Sequence, residues 1–230
     1  MRVLKFGGTS VGSVENMIQV KEIVNDQQKK IVVLSAMSGT TNALVAISND
    51  IKEGNKSSAV TRIDTLEVSY TTTIQSLFSD AVILQDVQAY VKDIFFTLKS
   101  TIDQVYHPST YNTIVSYGEL LSTYIFSAYL RQEGINVQLL PALDFMRIDR
   151  NHEPDTFYIR QNIHRRMDEL PAADIYITQG FICLDVDGKV SNLQRGGSDY
   201  TATIIGAAIH AEEVQIWTDI DGFHNNDPRF

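Results

Sequence analysis

The chain has 230 residues, 43% hydrophobic and 20% charged, with a formal net charge of -9. That length buries the core of one large α/β domain or two small ones, and an acidic chain with no Lys/Arg run argues against a nucleic-acid partner. The lone Cys183 excludes an intrachain disulfide, the five histidines (His107, His152, His164, His210, His224) lack paired metal-ligand spacing, and no segment reaches signal-peptide or transmembrane length, so a cytoplasmic protein without membrane contact is expected.

Val3 to Phe6 is a short β-prone run ending at Gly7-Gly8. Ser13 opens a helical pattern in which Val14, Met17, Ile18, Lys21 and Val24 recur at three- and four-residue steps. Ile31 to Leu34 is continuously apolar, as in a buried parallel strand, and runs through Ser35 into the loop Met37-Ser38-Gly39. A second helix places Leu44, Ile47 and Ile51 on one face and stops at Gly54. Residues 55–59 read as a loop, and from about 60 to 132 the pattern is helical with a break near His107-Pro108. β-Branched runs return at Ile135 to Leu140 and Ile175 to Thr178, and Cys183 falls in a further strand as a small packing residue. Asp187-Gly188 between extended segments signals a hairpin. Gly196-Gly197 leads into a helix with Ile204, Ile205 and Ala208, and Val214 to Trp217 forms a last strand closed by Asp221-Gly222. Strands alternating with helices at both ends of the chain predict a parallel-rich sheet covered on both faces, with a helical block beside it.

Three strand-to-helix loops carry candidate chemistry. In Lys5-Phe6-Gly7-Gly8-Thr9-Ser10 the paired glycines let backbone N–H groups approach an anion that Lys5 also reaches; a tight turn with a surface lysine explains the same residues. The spacing is neither that of a P-loop nor G-x-G-x-x-G. Ser35-Ala36-Met37-Ser38-Gly39-Thr40-Thr41-Asn42 offers hydroxyls at the carboxyl end of a strand, where open α/β sheets bind ligands, or simply a helix N-cap at Thr41. Arg195-Gly196-Gly197-Ser198-Asp199 combines a carboxylate-fitting guanidinium with a helix start, and either Ser198 or Asp199 suits a cap.

Lys-Phe-Gly-Gly-Thr-Ser at 5–10, Ser-Tyr-Gly-Glu at 116–119, Gln-Gly-Phe at 179–181, Arg-Gly-Gly-Ser-Asp-Tyr at 195–200, Trp-Thr-Asp-Ile-Asp-Gly at 217–222 and Asp-Pro-Arg at 227–229 together resemble the aspartate kinases, in the family's order and over almost the whole chain. The resemblance implies the amino-acid kinase fold, a three-layer α/β/α sandwich with a mostly parallel central sheet. It also implies transfer of the ATP γ-phosphoryl group, with Mg²⁺, to the side-chain carboxylate of L-aspartate, an early step toward lysine, threonine and methionine. Lys5 then matches the lysine that neutralises the transferring phosphoryl group, with Gly7 and Gly8 as backbone donors beside it. Ser35 and Thr41 match residues near substrate and phosphate. Glu119 matches the carboxylate that receives the substrate ammonium, and Arg195, with Ser198 beside it, the arginine on its α-carboxylate. Asp199 matches the aspartate that orients the lysine. Thr218, Asp219, Asp227 and Arg229 match the nucleotide-binding stretch. The acceptor is ionised at neutral pH, so no strong general base is needed; positioning and charge neutralisation carry the reaction.

Gln194 stands where many members have glycine, and His224 where a tyrosine near the adenine is common. Family members continue past Asp-Pro-Arg with more of the nucleotide lobe, a further phosphate-binding lysine, usually ACT domains and in some cases a fused homoserine dehydrogenase. The resemblance therefore implies that residues 1–230 are the N-terminal catalytic portion of a homo-oligomeric enzyme. Its acceptor pocket should be in place, with a nucleotide site open on one side that weakens ATP binding. Acetylglutamate and uridylate kinases share the fold, but Glu119 with Arg195 favours a free amino acid. A non-catalytic module of the same fold is the other alternative.

Overall fold

The computed structural model describes residues 1–193 and 196–218. In chain order the elements are β1 (Arg2–Phe6), α1 (Val14–Val24), β2 (Lys30–Leu34), α2 (Thr40–Glu53), α3 (Lys56–Leu77), α4 (Ala81–Ser100), α5 (Pro108–Gln132), β3 (Val137–Leu139), α6 (Thr156–Glu169), β4 (Ile175–Gln179), β5 (Ile182–Leu184), β6 (Val190–Asn192), α7 (Gly197–Ala208) and β7 (Glu213–Trp217). Five strands form one sheet in the order β3-β4-β2-β1-β7, every neighbouring pair parallel. The remaining two, β5 and β6, make an antiparallel hairpin.

Alternation along the strands divides the core into two. Leu4, Phe6, Val32, Leu34, Ile175 and Ile177 face one way, against residues of α1 to α5. Val3, Ile31, Val33 and Tyr176 face the other way, against α6, α7 and the hairpin. Successive strand residues point to opposite faces, so Lys5 shares the α7 side with Val3. Central strands covered on both faces need no polar register, which is why β2 and β4 are buried at every position.

Most predicted elements are present, with four differences. Residues 56–59 belong to α3, not to a loop, and Asn55 precedes them as the N-cap. On α1 the buried face is Met17, Val20 and Val24, while Ile18 is exposed. The helix after β2 begins at Thr40, with Gly39 in the left-handed conformation (φ 79°) as its N-cap, so Thr41 caps nothing. Ser13 does cap α1, accepting from the Asn16 N–H at 3.2 Å. The helical block breaks twice, at residues 78–80 and 101–107; Pro108 opens α5 at a position whose N–H would have no helical partner. Asp187-Gly188 lies in the β5–β6 turn, where the Asp185 carboxylate accepts from the N–H groups of Asp187 and Lys189, each at 2.9 Å. Asp221-Gly222 lies outside the described residues.

Candidate active site

Several segments converge at the carboxyl ends of the parallel strands: the end of β1, the loop after β2 with the start of α2, the first half of α5, Phe181 after β4, the end of β6 and the start of α7. Together they line a cavity of about 630 Å³. Its walls carry Lys5, Ser35, Thr41, Glu119, Ser198 and Asp199, with Asn42, Val45, Tyr111, Phe181, Asn192, Gly196 and Gly197 completing them.

Lys5, second to last in β1, is brought to the α7 face by strand parity. Its Nζ lies 2.7 Å from Asp199 Oδ1, and its side chain is only 13% exposed. Asp199 sits in the first turn of α7, where a carboxylate also favours the positive end of the helix dipole. Gly7 follows the lysine so closely that a Cβ there would stand 3.5 Å from Nζ. The ammonium is thus fixed, mostly shielded, and presented to the cavity.

Glu119 lies within α5, a helix buried over most of its second half. Oε1 accepts the Ala36 N–H at 3.2 Å, whereas Oε2 is buried without a hydrogen-bond partner among the described residues. Burial raises the carboxyl to about pKa 7, against the opposing Ala36 hydrogen bond. The close approach that makes this contact rests on two glycines flanking Ala36. A Cβ at Gly118 would meet the Ala36 Cβ at 2.7 Å, and one at Gly8 would meet the Ala36 carbonyl oxygen at 2.7 Å. Ser122, one turn along α5, donates its hydroxyl to the Ser35 carbonyl at 2.8 Å and so fastens the same loop.

Lys5, Ser35, Thr41, Glu119, Ser198 and Asp199, predicted from sequence, therefore share one cavity. Gly7 and Gly8 lie in the loop behind it. Thr218 borders a separate cavity of about 280 Å³ with Phe6, Thr9, Ser10, Asn16 and Trp217, beyond the other side of β1. Trp217 there stacks on Phe6 with ring centroids 5.7 Å apart. Arg195, Asp219, His224, Asp227 and Arg229, with Gln194, lie outside the described residues. Sequence reasoning missed Val45, Tyr111, Phe181 and Asn192. Only Phe181 had a signal, its place in the Gln-Gly-Phe motif. Its φ of 67° is left-handed for a bulky residue, a strained conformation held by hydrogen bonds from its N–H to Thr201 Oγ1 at 3.0 Å and from the Leu193 N–H to its carbonyl at 2.8 Å. Among the described residues, no group of three or more His, Cys, Asp or Glu side chains is placed to hold a metal ion, and no helix is long and apolar enough to cross a membrane.

A cation and a buried carboxylate facing one cavity at the strand ends call for comparison with known proteins, and the model of the amino acid kinase family matches residues 1–230. The chain belongs to the amino acid kinase family. It is 32% identical to lysine-sensitive aspartokinase 3 of Escherichia coli K12, over 99% of this chain and 51% of that protein. It is 31% identical to the chloroplastic aspartokinase 1 of Arabidopsis thaliana, over 98% of this chain and 41% of that one. The crystal structure of E. coli aspartokinase III with aspartate and ADP superposes with a TM-score of 0.84 at 32% identity, over all of this chain and 51% of that one. The chain thus spans about half the length, or less, of these relatives. The fold of the amino acid kinase family is the parallel-sheet architecture described above.

Proposed function

We propose that this chain is the catalytic domain of an aspartate kinase, transferring the γ-phosphoryl group of ATP to the β-carboxylate of L-aspartate and giving 4-phospho-L-aspartate and ADP. The observation that carries this reading is one cavity with the Lys5 ammonium on one wall and, on another, buried Glu119, whose Oε2 has no hydrogen-bond partner among the described residues. A buried carboxylate oxygen without a donor is costly unless a ligand supplies one, and the ammonium of a free amino acid does so. The related E. coli enzyme, which binds aspartate and ADP, supports the same assignment.

In this reading a β-carboxylate oxygen attacks the γ-phosphorus, the bond to the β-phosphate bridging oxygen breaks, and ADP departs; no proton changes hands. The barrier is the meeting of two anions. Lys5, steered by Asp199, offsets charge building on the transferring oxygens. Glu119 holds the substrate ammonium, Arg195 with Ser198 its α-carboxylate, and Ser35 and Thr41 line the path between. Thr218, Asp219, His224, Asp227 and Arg229, with Gly7 and Gly8, are assigned to the nucleotide. Mg²⁺ enters as part of the Mg-ATP substrate, held chiefly by phosphate oxygens, as is usual for an ion that sheds water reluctantly. Residues 1–230 act as one domain of a longer, homo-oligomeric enzyme of amino-acid biosynthesis.

A hydroxamate-trapping assay with L-aspartate, L-glutamate, N-acetylglutamate and no acceptor tests the reading. Acyl phosphate formed from aspartate alone is expected. Equal turnover of the N-acetylated acceptor would show that Glu119 does not read an ammonium group, and would assign the chain to another reaction of this fold.

A further inference from the structure

The column of β4 side chains facing α5 runs Ile175, Ile177, Gln179, and the first two sit in the apolar core. Gln179 is 1% exposed. Burying an amide where a branched alkyl group continues the pattern is unfavourable unless both ends are bonded. Here both are. Oε1 accepts the Ala142 N–H at 2.7 Å, and Nε2 donates to Thr123 Oγ1 at 2.7 Å. Thr123 is fully buried and donates the same hydroxyl to the main-chain carbonyl of Glu119, also at 2.7 Å. A Thr hydroxyl bonded to the carbonyl four residues back competes with the helix and bends it locally. Accepting from Gln179 polarises the hydroxyl and strengthens the bond it donates. Support for the Ala142 N–H explains the oxygen of this amide; it does not explain the nitrogen, which reaches across to the Thr123 hydroxyl, bonded to the Glu119 carbonyl at 2.7 Å where the Ser122 hydroxyl that shares this carbonyl lies at 3.2 Å. Gln179 also stands at the strand end, paired in register with Leu34, the residue before the Ser35-Ala36 loop that Glu119 binds.

We propose that Gln179 is a positioning residue that, through Thr123, sets where the Glu119 carboxylate sits against Ala36 and the amino-acid pocket. The inference rests on the reading of Glu119 as the ammonium-binding group. It makes the end of β4, which lines none of the cavity through this side chain, a determinant of acceptor affinity.

The test is calorimetric titration of L-aspartate, and separately of Mg-ADP, into the full chain and its Gln179→Met, Thr123→Val, Thr123→Ser and Glu119→Gln variants, with the pH-dependent shift of the Ala36 amide followed by NMR in each. Gln179→Met and Thr123→Val should weaken aspartate binding tenfold or more and displace the inflection of the Ala36 amide, with Mg-ADP affinity unchanged. Thr123→Ser, which keeps the hydroxyl, should restore both. Loss of folded protein lowers the stoichiometry rather than the affinity, so a merely structural role does not mimic this pattern. If Glu119→Gln weakens aspartate binding and the Gln179 and Thr123 variants do not, the positioning role is overturned while the aspartate reading stands. If Glu119→Gln binds aspartate as the parent does, or the parent does not bind it, the aspartate reading falls. The Ala36 inflection then decides the positioning role alone, an unmoved inflection in Gln179→Met overturning it.

Discussion

Two lysines stand on neighbouring strands at opposite ends of the sheet. Lys5 lies next to the carboxyl end of β1, and Lys30 opens β2 at the amino end. Lys30 is fully buried and its partners are local: it donates to the Val24 carbonyl at 2.7 Å and pairs with Asp26, which also binds Arg2. Lys5 is partly exposed, and its partner Asp199 comes from a remote helix across a cavity. One ammonium is bonded by the chain that precedes it. The other is paired, among the described residues, with one carboxylate and keeps a face toward the cavity. Burial alone does not separate a structural cation from a functional one; the provenance of its partners and what remains on its free side do.

The sharpest way to break this contrast is to remove Lys5. Lys5→Ala should lower kcat on the order of 10² or more with little change in aspartate affinity, as for a group acting mainly in the transition state, while the melting temperature stays near that of the parent. Near-normal turnover would remove Lys5 from the mechanism.

The next effect belongs to the opposing wall. Glu119→Gln should raise the KM for aspartate by a factor corresponding to roughly 2–4 kcal/mol, the scale for losing one partner of a desolvated charge pair, and leave the KM for ATP in place. Acceptor and nucleotide saturation curves measured on the same preparation settle it.

Acidity sharpens the comparison further. Burial holds Glu119 at about pKa 7, so the carboxylate proposed to bind an ammonium is progressively lost below that pH. Apparent aspartate affinity should fall about tenfold per unit well below pH 7. Stability runs the other way. A carboxyl raised on folding contributes stability that is complete below its unfolded value near 4.5 and is lost as pH rises through about 7. The ligand-free chain should therefore lose up to roughly 3 kcal/mol over that window relative to Glu119→Gln. Thermal melts of both proteins at pH 5 and pH 8 measure the difference, and an equal change in the two would contradict it.

The smallest effect is at Lys30. Burial works against the Asp26 charge, but bonds from Lys30, the Gln28 N–H and Arg2 outweigh it and bring the carboxyl down to about pKa 2. Asp26→Asn leaves a buried ammonium short of its anion and should cost about 2 kcal/mol at neutral pH, less than a fully buried pair because Asp26 is a third exposed. Because the carboxyl is depressed, that difference should fade as pH drops from 3.8 toward 2. Kinetic constants per folded molecule should not move.

What the sequence revealed of this contrast follows from physics that is local. The apolar run Ile31 to Leu34, the hairpin at Asp187-Gly188 and the glycine stop at Gly54 are short-range signals, and the structure carries each of them. The placement of Lys5 on the α7 face follows from strand parity alone. Less legible were features set by packing. Ile18 fits the helical period as well as Val20, and only the position of the sheet makes Val20 the buried one. Thr41 looks like a cap because hydroxyls favour that role, yet Gly39 takes the left-handed turn first and leaves Thr41 to the cavity. Asn192 and Tyr111 reach the pocket through the docking of the β5–β6 hairpin beside α5, seen in the 2.8 Å bond from Asn192 Nδ2 to Asn112 Oδ1. No local pattern announces such a contact. Glu119 was picked out by resemblance; its unusual acidity came into view only with the burial of α5.

The sheet order also bears on how the chain is made. β1 precedes the other strands of its sheet in the chain, yet it lies between β2 and β7, with Arg2 in register with Lys30 on one side and Glu213 on the other. A chain emerging from the ribosome can join β1 to β2 early, but the far edge of β1 stays open until β7 has been translated. Lys5 likewise waits for Asp199. Closing such sequence-distant pairings is slow and exposes unpaired strand in the interval, so we expect nascent chains halted before β7 to be sticky, inactive and dependent on chaperones.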